Sequence, residues 1–310
     1  MGKIRILFNA WADQDNTNAQ SLNARDIAVR LDPHLFESAF FSFGEPKPEL
    51  KDQPQIKIIK IPRRLGSLVM AVQMAWGSYD LLYYPPFGRQ RKLFWILNLL
   101  GKKRKTVAPI EATAQQILAT PPSLHQEFLQ VLSTSPGQFA IGPYIAESME
   151  KEFGLRMQVI PLGVDTEAFS FIDRRNHMLP VKILYIGTIQ PRKQVQLMLD
   201  LAKQINPRIT EFHIVGYPLG DLSYYEMLLK RKAEEEGLSN VLFHGKIRHS
   251  EIINFLKDCD ILVLPSRLEG VPKVTLEAAA TGMPCIIFAD YHSPSWSMAS
   301  RDFRCAPLRR

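Results

Sequence analysis

Between Pro265 and Pro284 the chain reads Pro-Ser-Arg-Leu-Glu-Gly-Val-Pro-Lys-Val-Thr-Leu-Glu-Ala-Ala-Ala-Thr-Gly-Met-Pro, and its punctuation leaves little freedom. Ile261 to Leu264, just before it, is a short apolar run suited to a buried parallel strand. Pro272 suits a first helical position, where a missing N–H costs nothing, and the helix then runs through Ala278-Ala279-Ala280. Gly282 and Pro284 stop it, and Cys285 to Phe288 is the next apolar strand. The unit is strand, loop, helix, strand, with the loop opening at the carboxyl edge of a parallel sheet.

Open α/β sheets bind ligands at that edge. The N–H groups and positive dipole end at residues 272–275 suit a phosphate or diphosphate. Pro272 itself cannot donate, so the amides of Lys273 and Val274 carry that role, beside Gly270. Glu269 in the loop and Glu277 in the helix would repel an anion, yet both can accept hydrogen bonds from hydroxyls flanking one. A diphosphate with a sugar on one side and a ribose on the other is a nucleotide sugar.

The string Pro-Ser-x-x-Glu-Gly-x-Pro-x-x-x-x-Glu-Ala-x-Ala-x-Gly-x-Pro, with seven residues between its glutamates, resembles the donor-site signature of retaining GT-B glycosyltransferases of family 4. The resemblance implies two Rossmann-like parallel-sheet domains facing a cleft. It implies transfer of a sugar from a nucleoside diphosphate to a glycan or lipid-linked acceptor with retention of configuration. It gives Glu269 the donor-sugar hydroxyls and Glu277 the ribose, and it implies no obligatory metal and no further cofactor. Lys193 matches the lysine that holds the donor diphosphate. Thr188 stands where the family has an arginine, and Gln194 where it has a glycine. Arg192 reads either as a substitute cation or as a solvated loop charge. The loop after Gly245 would meet the base through Lys246 and Ile247.

The resemblance is specific over residues 140–290 and architectural before that. Strands are expected at Ile4 to Phe8, Phe36 to Phe43, Ile56 to Ile61, Asp80 to Tyr84 and Thr106 to Ile110. The last ends in Glu111, near the place where the family carries a histidine that reaches the donor sugar. Gly137 to Gly142 reads as the following strand and Pro143 to Phe153 as its helix. The loop after the first strand holds Asn9, Asn16, Asn18 and Gln20 but no glycine, so no dinucleotide fingerprint exists. Those amides read as replacement phosphate donors or as ordinary turn residues. Pro161-Leu162-Gly163-Val164-Asp165 with Phe169 is similar to the family's exit from the first domain, with Leu162 in place of the usual asparagine.

In the second half, strands are expected at Val181 to Ile186, Glu211 to Val215 and Val241 to Lys246, with a helix at Tyr224 to Gly237. Ser250 reads as the cap of a helix over 251–257. The domains expected are 1–175 for the acceptor, 176–292 for the donor, and an irregular tail over 293–310. Family members continue well past Asp290, so the ending resembles a truncated terminus and the second domain reads as incomplete.

Composition narrows the partners. With 310 residues and 46% hydrophobic content, two soluble domains can each bury a core. A net charge of +7 favours anionic partners. Arg89 to Lys105, an apolar run between basic clusters, reads either as a helix for peripheral contact with an anionic membrane or as a sheet-covering helix. No nucleic-acid motif accompanies the charge. Three cysteines without metal-ligand spacing and no signal peptide suggest the cytoplasm; the family resemblance implies surface polysaccharide or lipid-linked glycan assembly, at the inner face of the cytoplasmic membrane. A non-catalytic or decayed nucleotide-sugar binder is the alternative, motivated by Thr188 and the short ending.

Overall fold

The computed structural model describes residues 2–62, 64–86, 106–135, 137–174, 179–218, 221–287 and 304–305. Its contacts divide the chain into two units, Met1–Leu162 and Gly163–Arg310. The basic and apolar segment at 87–105 and nearly all of the tail lie outside the described residues.

Apolar runs uninterrupted by polar alternation produce strands buried on both faces. In the first unit these are β1 (Ile4–Trp11), β2 (Phe36–Ser42), β3 (Ile56–Lys60), β4 (Leu81–Tyr83), β5 (Thr106–Ile110), β6 (Gly137–Ala140) and β7 (Gln158–Val159). They form a parallel sheet in the order β3-β2-β1-β4-β5-β6-β7, the doubly wound arrangement. The period of two sorts neighbours to opposite faces. Phe8, Phe40 and Tyr83 pack on one, where Phe8 and Phe40 stack at 4.7 Å. Leu7, Phe41 and Leu82 pack on the other. Helix α1 (Ala19–Arg30) covers the first face through Ala24 and Ala28, and Gly66–Trp76 covers the second through Met74.

In the loop from β1 to α1 the side-chain oxygens of Asn16 and Asn18 serve local structure. Asn16 accepts from the amide of Asn18 at 3.0 Å, and Asn18 caps α1 by accepting from the amide of Gln20 at 2.9 Å. Arg25, buried on α1, donates to the carbonyls of Asp13 at 2.8 Å and Asn16 at 2.7 Å, which pins the loop from below. Burial pulls its guanidinium down to about 10, against the pull of Asp26, Glu49 and Asp13. Helices at Ala114–Leu118 and Pro122–Thr134 follow β5 and were not anticipated.

The second unit contains β8 (Val181–Ile186), β9 (Thr210–Val215), β10 (Val241–Gly245), β11 (Ile261–Leu264), β12 (Cys285–Ile287) and β13 (Arg304–Cys305). Their order is β10-β9-β8-β11-β12-β13, parallel except for β13. One face buries Tyr185, Phe212, Ile214 and Val263 under Gln196–Gln204 and Ser223–Glu235. The other buries Leu184, Leu262 and Cys285 with Leu256 and Ala278, which come from helices at Ile252–Asp258 and Lys273–Ala280. Each leucine, isoleucine, valine or phenylalanine among them contributes roughly 1.5–3 kcal/mol on removal from water.

Three expectations need correction. The helix signalled by the proline starts at Lys273, with Pro272 as its N-cap. Ser250 caps nothing, because it lies inside a 3-10 turn, His249–Glu251; Glu251 holds the entrance instead, accepting from the amide of Arg248 at 2.7 Å. The division between units falls upstream of the polar stretch expected at 170–180. Phe169 is 5% exposed within the second unit's core, and the amide of Ile172 donates to Thr281 O at 3.0 Å. The Arg174 guanidinium donates to the carbonyls of Leu256 and Cys259, closing the carboxyl end of Ile252–Asp258.

At the carboxyl edge of this sheet the turns after β8 and β9 touch. Gly216 has φ +151°, and a Cβ there would lie 1.8 Å from Gly187 O. Gly216→Ala is therefore expected to cost about 3 kcal/mol or more, read as a lowered urea midpoint. A midpoint equal to wild type would show that the two turns can separate freely.

Candidate functional site

The central strands β8 and β11 mark the point where the second sheet's connections reverse direction, so the helices that follow them lie on opposite faces, and the carboxyl edge at such a point is where open α/β sheets bind ligands. The loop after β8 runs through Gly187 and Thr188 to a short 3-10 turn, Pro191–Lys193. Gln194 follows with φ 50°, the left-handed region that favours glycine. Turned with its nitrogen toward Pro265 O, the Gln194 amide spans 3.1 Å to that carbonyl and 2.9 Å to Arg267 Nε. A glutamine thus occupies the glycine-type conformation and uses its side chain to join the two loops. The amide of Arg267 donates to Arg192 O at 3.0 Å, a second tie between them.

These ties bring Lys193 and Glu269 together. The Lys193 ammonium donates to Glu269 Oε1, and the two residues are 8% and 9% exposed. Burial pushes the Glu269 carboxyl up, but Lys193 and Arg192 together outweigh it and hold the group below its ordinary range. Burial also lowers Lys193, against the pull of Glu269. Arg192 is not merely a solvated charge. Its Nη1 donates to Leu268 O at 2.9 Å and lies 3.3 Å from Glu269 Oε1. Two cations and one carboxylate therefore share this edge of the sheet.

Thr188, in the place of the family's arginine, serves local structure. Its hydroxyl accepts from Gln190 at 2.6 Å and its carbonyl from Tyr185 at 3.0 Å. Gly270 is buried in the loop after β11. Lys273 and Val274 open the following helix, where first-turn amides of any helix lack intrahelical acceptors. Thr275 closes that turn by donating its hydroxyl to Pro272 O at 2.7 Å.

Glu277, one turn further, is 1% exposed. Its Oε1 lies 2.6 Å from His249 Nε2, and His249 is held edge-on by Phe169 at 5.8 Å between ring centroids. Lys246 sits 5.0 Å over the Tyr217 ring, while Ile247 packs against the core of Leu184, Leu256 and Leu262. Glu111 lies in the first unit, just past the end of β5; burial raises the Tyr83 phenol and the charge of Glu111 raises it further. The other ten sequence-derived site residues lie in the second unit, and among them Lys193, Arg192 and Glu269 are in direct contact.

Sequence reasoning missed His249, Tyr217 and the side-chain tie of Gln194. Gln194 was visible as a non-glycine at a glycine position, which a side-chain tie explains. His249 and Tyr217 are single residues with no spacing rule to mark them. No group of three or more metal-ligating side chains occurs among the described residues. Nor is any helix among them long and apolar enough to cross a membrane.

Residues 170–296 match the family model described as Glycosyl transferases group 1. The UDP-Gal:alpha-D-GlcNAc-diphosphoundecaprenol alpha-1,3-galactosyltransferase of Escherichia coli is 34% identical over 151 residues, 43% of this chain and 36% of that protein. The glycogen synthase of Mycobacterium tuberculosis strain H37Rv is 30% identical over 148 residues, 47% of this chain and 32% of that protein. The chain therefore aligns with about a third of the length of these relatives. Sucrose-phosphate synthase from Thermosynechococcus elongatus superposes with a TM-score of 0.71 at 17% identity, over 92% of this chain and 81% of that one. Anabaena HepE, solved with UDP and glucose, gives 0.70 at 17% identity, over 91% and 80%. At that identity the likeness is one of fold. The chain has the two parallel α/β sheets of GT-B glycosyltransferases, and its segment 170–296 is similar to the group 1 glycosyl transferases.

Proposed function

We propose that the protein transfers a sugar from a nucleoside diphosphate sugar to a glycan or lipid-linked acceptor, with retention of configuration. One observation carries this reading: a buried lysine–glutamate pair where two loops meet at the carboxyl edge of the second sheet. A buried pair stabilises a fold poorly, because desolvating both charges offsets much of their attraction. Apolar side chains of similar volume would pack there at least as well. Charge retained at a ligand-binding edge is accounted for by a ligand that uses it.

The roles follow from chemistry. As the bond to the donor sugar breaks, negative charge builds on the departing diphosphate. Lys193 and Arg192 supply fixed positive charge, and the amides at Lys273 and Val274 add dipoles, so the proposal needs no metal. Arg192, already turned toward Glu269, takes over the part of the cation that Thr188 lacks. Glu269, oriented by Lys193, accepts from hydroxyls of the donor sugar, and Glu277 accepts from the ribose. Lys246 and Ile247 line the approach of the base. The E. coli relative supports the reading, since its name states a UDP-sugar donor and an acceptor on a diphosphoundecaprenol lipid. An acceptor of that kind would bring the enzyme to the inner face of the cytoplasmic membrane, at Arg89 to Lys105.

Binding is tested first. Calorimetry with UDP and GDP is expected to show binding by the wild-type protein. Glu277→Ala should weaken it by about tenfold or more, the equivalent of one hydrogen bond to a charged group. Unchanged affinity in Glu277→Ala removes the ribose role, and no nucleotide binding by wild type removes the proposal.

Turnover is tested second, by release of nucleoside diphosphate from a nucleotide sugar with lipid-linked or oligosaccharide acceptors. Lys193→Ala is expected to lower kcat by roughly 10²–10³, in line with loss of one preorganised charge donor. Donor binding without turnover on any acceptor would favour the non-catalytic binder.

A further inference from the structure

His249 and Glu277 form a contact that the donor-site reading does not require. Glu277 is on the helix Lys273–Ala280, and His249 opens the 3-10 turn after β10. They are 28 residues apart, yet Nε2 and Oε1 lie 2.6 Å apart, with Glu277 1% and the His249 side chain 13% exposed. Phe169, from the segment leading into the second unit, sets its ring edge-on to the imidazole at 5.8 Å. Three separate stretches thus meet at one carboxylate–imidazole pair.

A glutamate side chain on its own is a poor recognition element. Three rotatable bonds must be ordered when it meets a ligand, at a cost of about 1.5–2 kcal/mol. A buried carboxylate also needs donors to offset its lost hydration. His249 meets both demands, because Nε2–H donates to Oε1 and Phe169 fixes the ring that carries it. Each carboxylate oxygen has two lone pairs, so the remaining acceptor sites keep one direction.

We infer that His249 is a positioning residue for ribose recognition, holding Glu277 so that its carboxylate presents fixed acceptors to the vicinal hydroxyls of a nucleoside diphosphate. The inference rests on the ribose role proposed above for Glu277 and adds what makes that role specific. The ordering cost is met during folding, so contact with the hydroxyls appears as affinity. Discrimination between ribose and deoxyribose then depends on a histidine that does not touch the nucleotide.

The test measures the ribose preference rather than affinity alone. UDP and GDP are titrated against the full chain beside their 2′-deoxy and 3′-deoxy counterparts, with inorganic pyrophosphate as a probe lacking ribose. Wild type is expected to prefer ribose by about tenfold or more, the factor that corresponds to one hydrogen bond to a charged group. His249→Phe keeps a ring against Phe169 but has no donor, and its preference should fall to about twofold with pyrophosphate affinity unchanged. His249→Ala also lacks the donor and should show the same collapse, so failure of one variant to fold leaves the other decisive. His249→Gln restores an N–H and should recover most of the preference. A purely structural histidine would lower the unfolding midpoint and leave the preference intact. That result, in either donor-less variant, overturns the inference while the donor-site reading stands. If wild type binds neither UDP nor GDP, the donor-site reading falls and the inference falls with it.

Discussion

A lysine and a glutamate withdrawn from water together impose a demand that few surroundings can meet. Lys193 and Glu269 sit on different loops, so their pairing requires both loops to be held at close range. Gln194 and the backbone of Arg267 supply two of the ties, and Arg192 supplies a third by reaching Leu268 and Glu269. Deleting either partner would strand a charge in a medium that solvates it badly, at a cost of about 3–5 kcal/mol. The pair is thus coupled to local order. Whatever binds at the edge meets charges whose positions are already set, the condition under which electrostatic stabilisation of a leaving group is most effective.

The scaffold supports that order from below. Because β8 and β11 are neighbours but their connections lead in opposite directions, their carboxyl ends form the sheet's natural crevice. The turn after β9 is pressed against the turn after β8 so closely that only glycine fits at Gly216. Arg174 and Phe169 fasten the entering segment to the lower helices. The same segment thereby supplies the ring that orients His249.

Much of this was legible in the sequence for identifiable reasons. Thr106–Ile110, Val181–Ile186 and the helix Pro143–Phe153 fall where the apolar runs and the proline put them. Strands buried on both faces read as continuous apolar runs, and Pro143 is a strong start signal. The stretch 265–284 was readable because glycines and prolines fix its boundaries whatever packs around it. The helix Pro122–Thr134 was missed although Pro122 stands at its first position and Phe128, Val131 and Leu132 are buried along it. What the sequence could not show were contacts between distant elements. His249 with Glu277, Arg174 with the helix end and Gln194 with Pro265 depend on how loops are folded over a finished sheet. Arg192 was left open for the same reason, since only the tertiary arrangement turns a loop charge into a partner for a buried carboxylate.

Amide hydrogen exchange, with and without UDP-glucose or GDP-mannose, tests the assignment of the crevice most directly. Slowed exchange is predicted at residues 187–194, 245–249 and 266–277, the loops leaving β8, β10 and β11 together with the first turns of the helix at Lys273. Nucleotide-sugar binding that protects only peptides elsewhere in the chain would contradict the account.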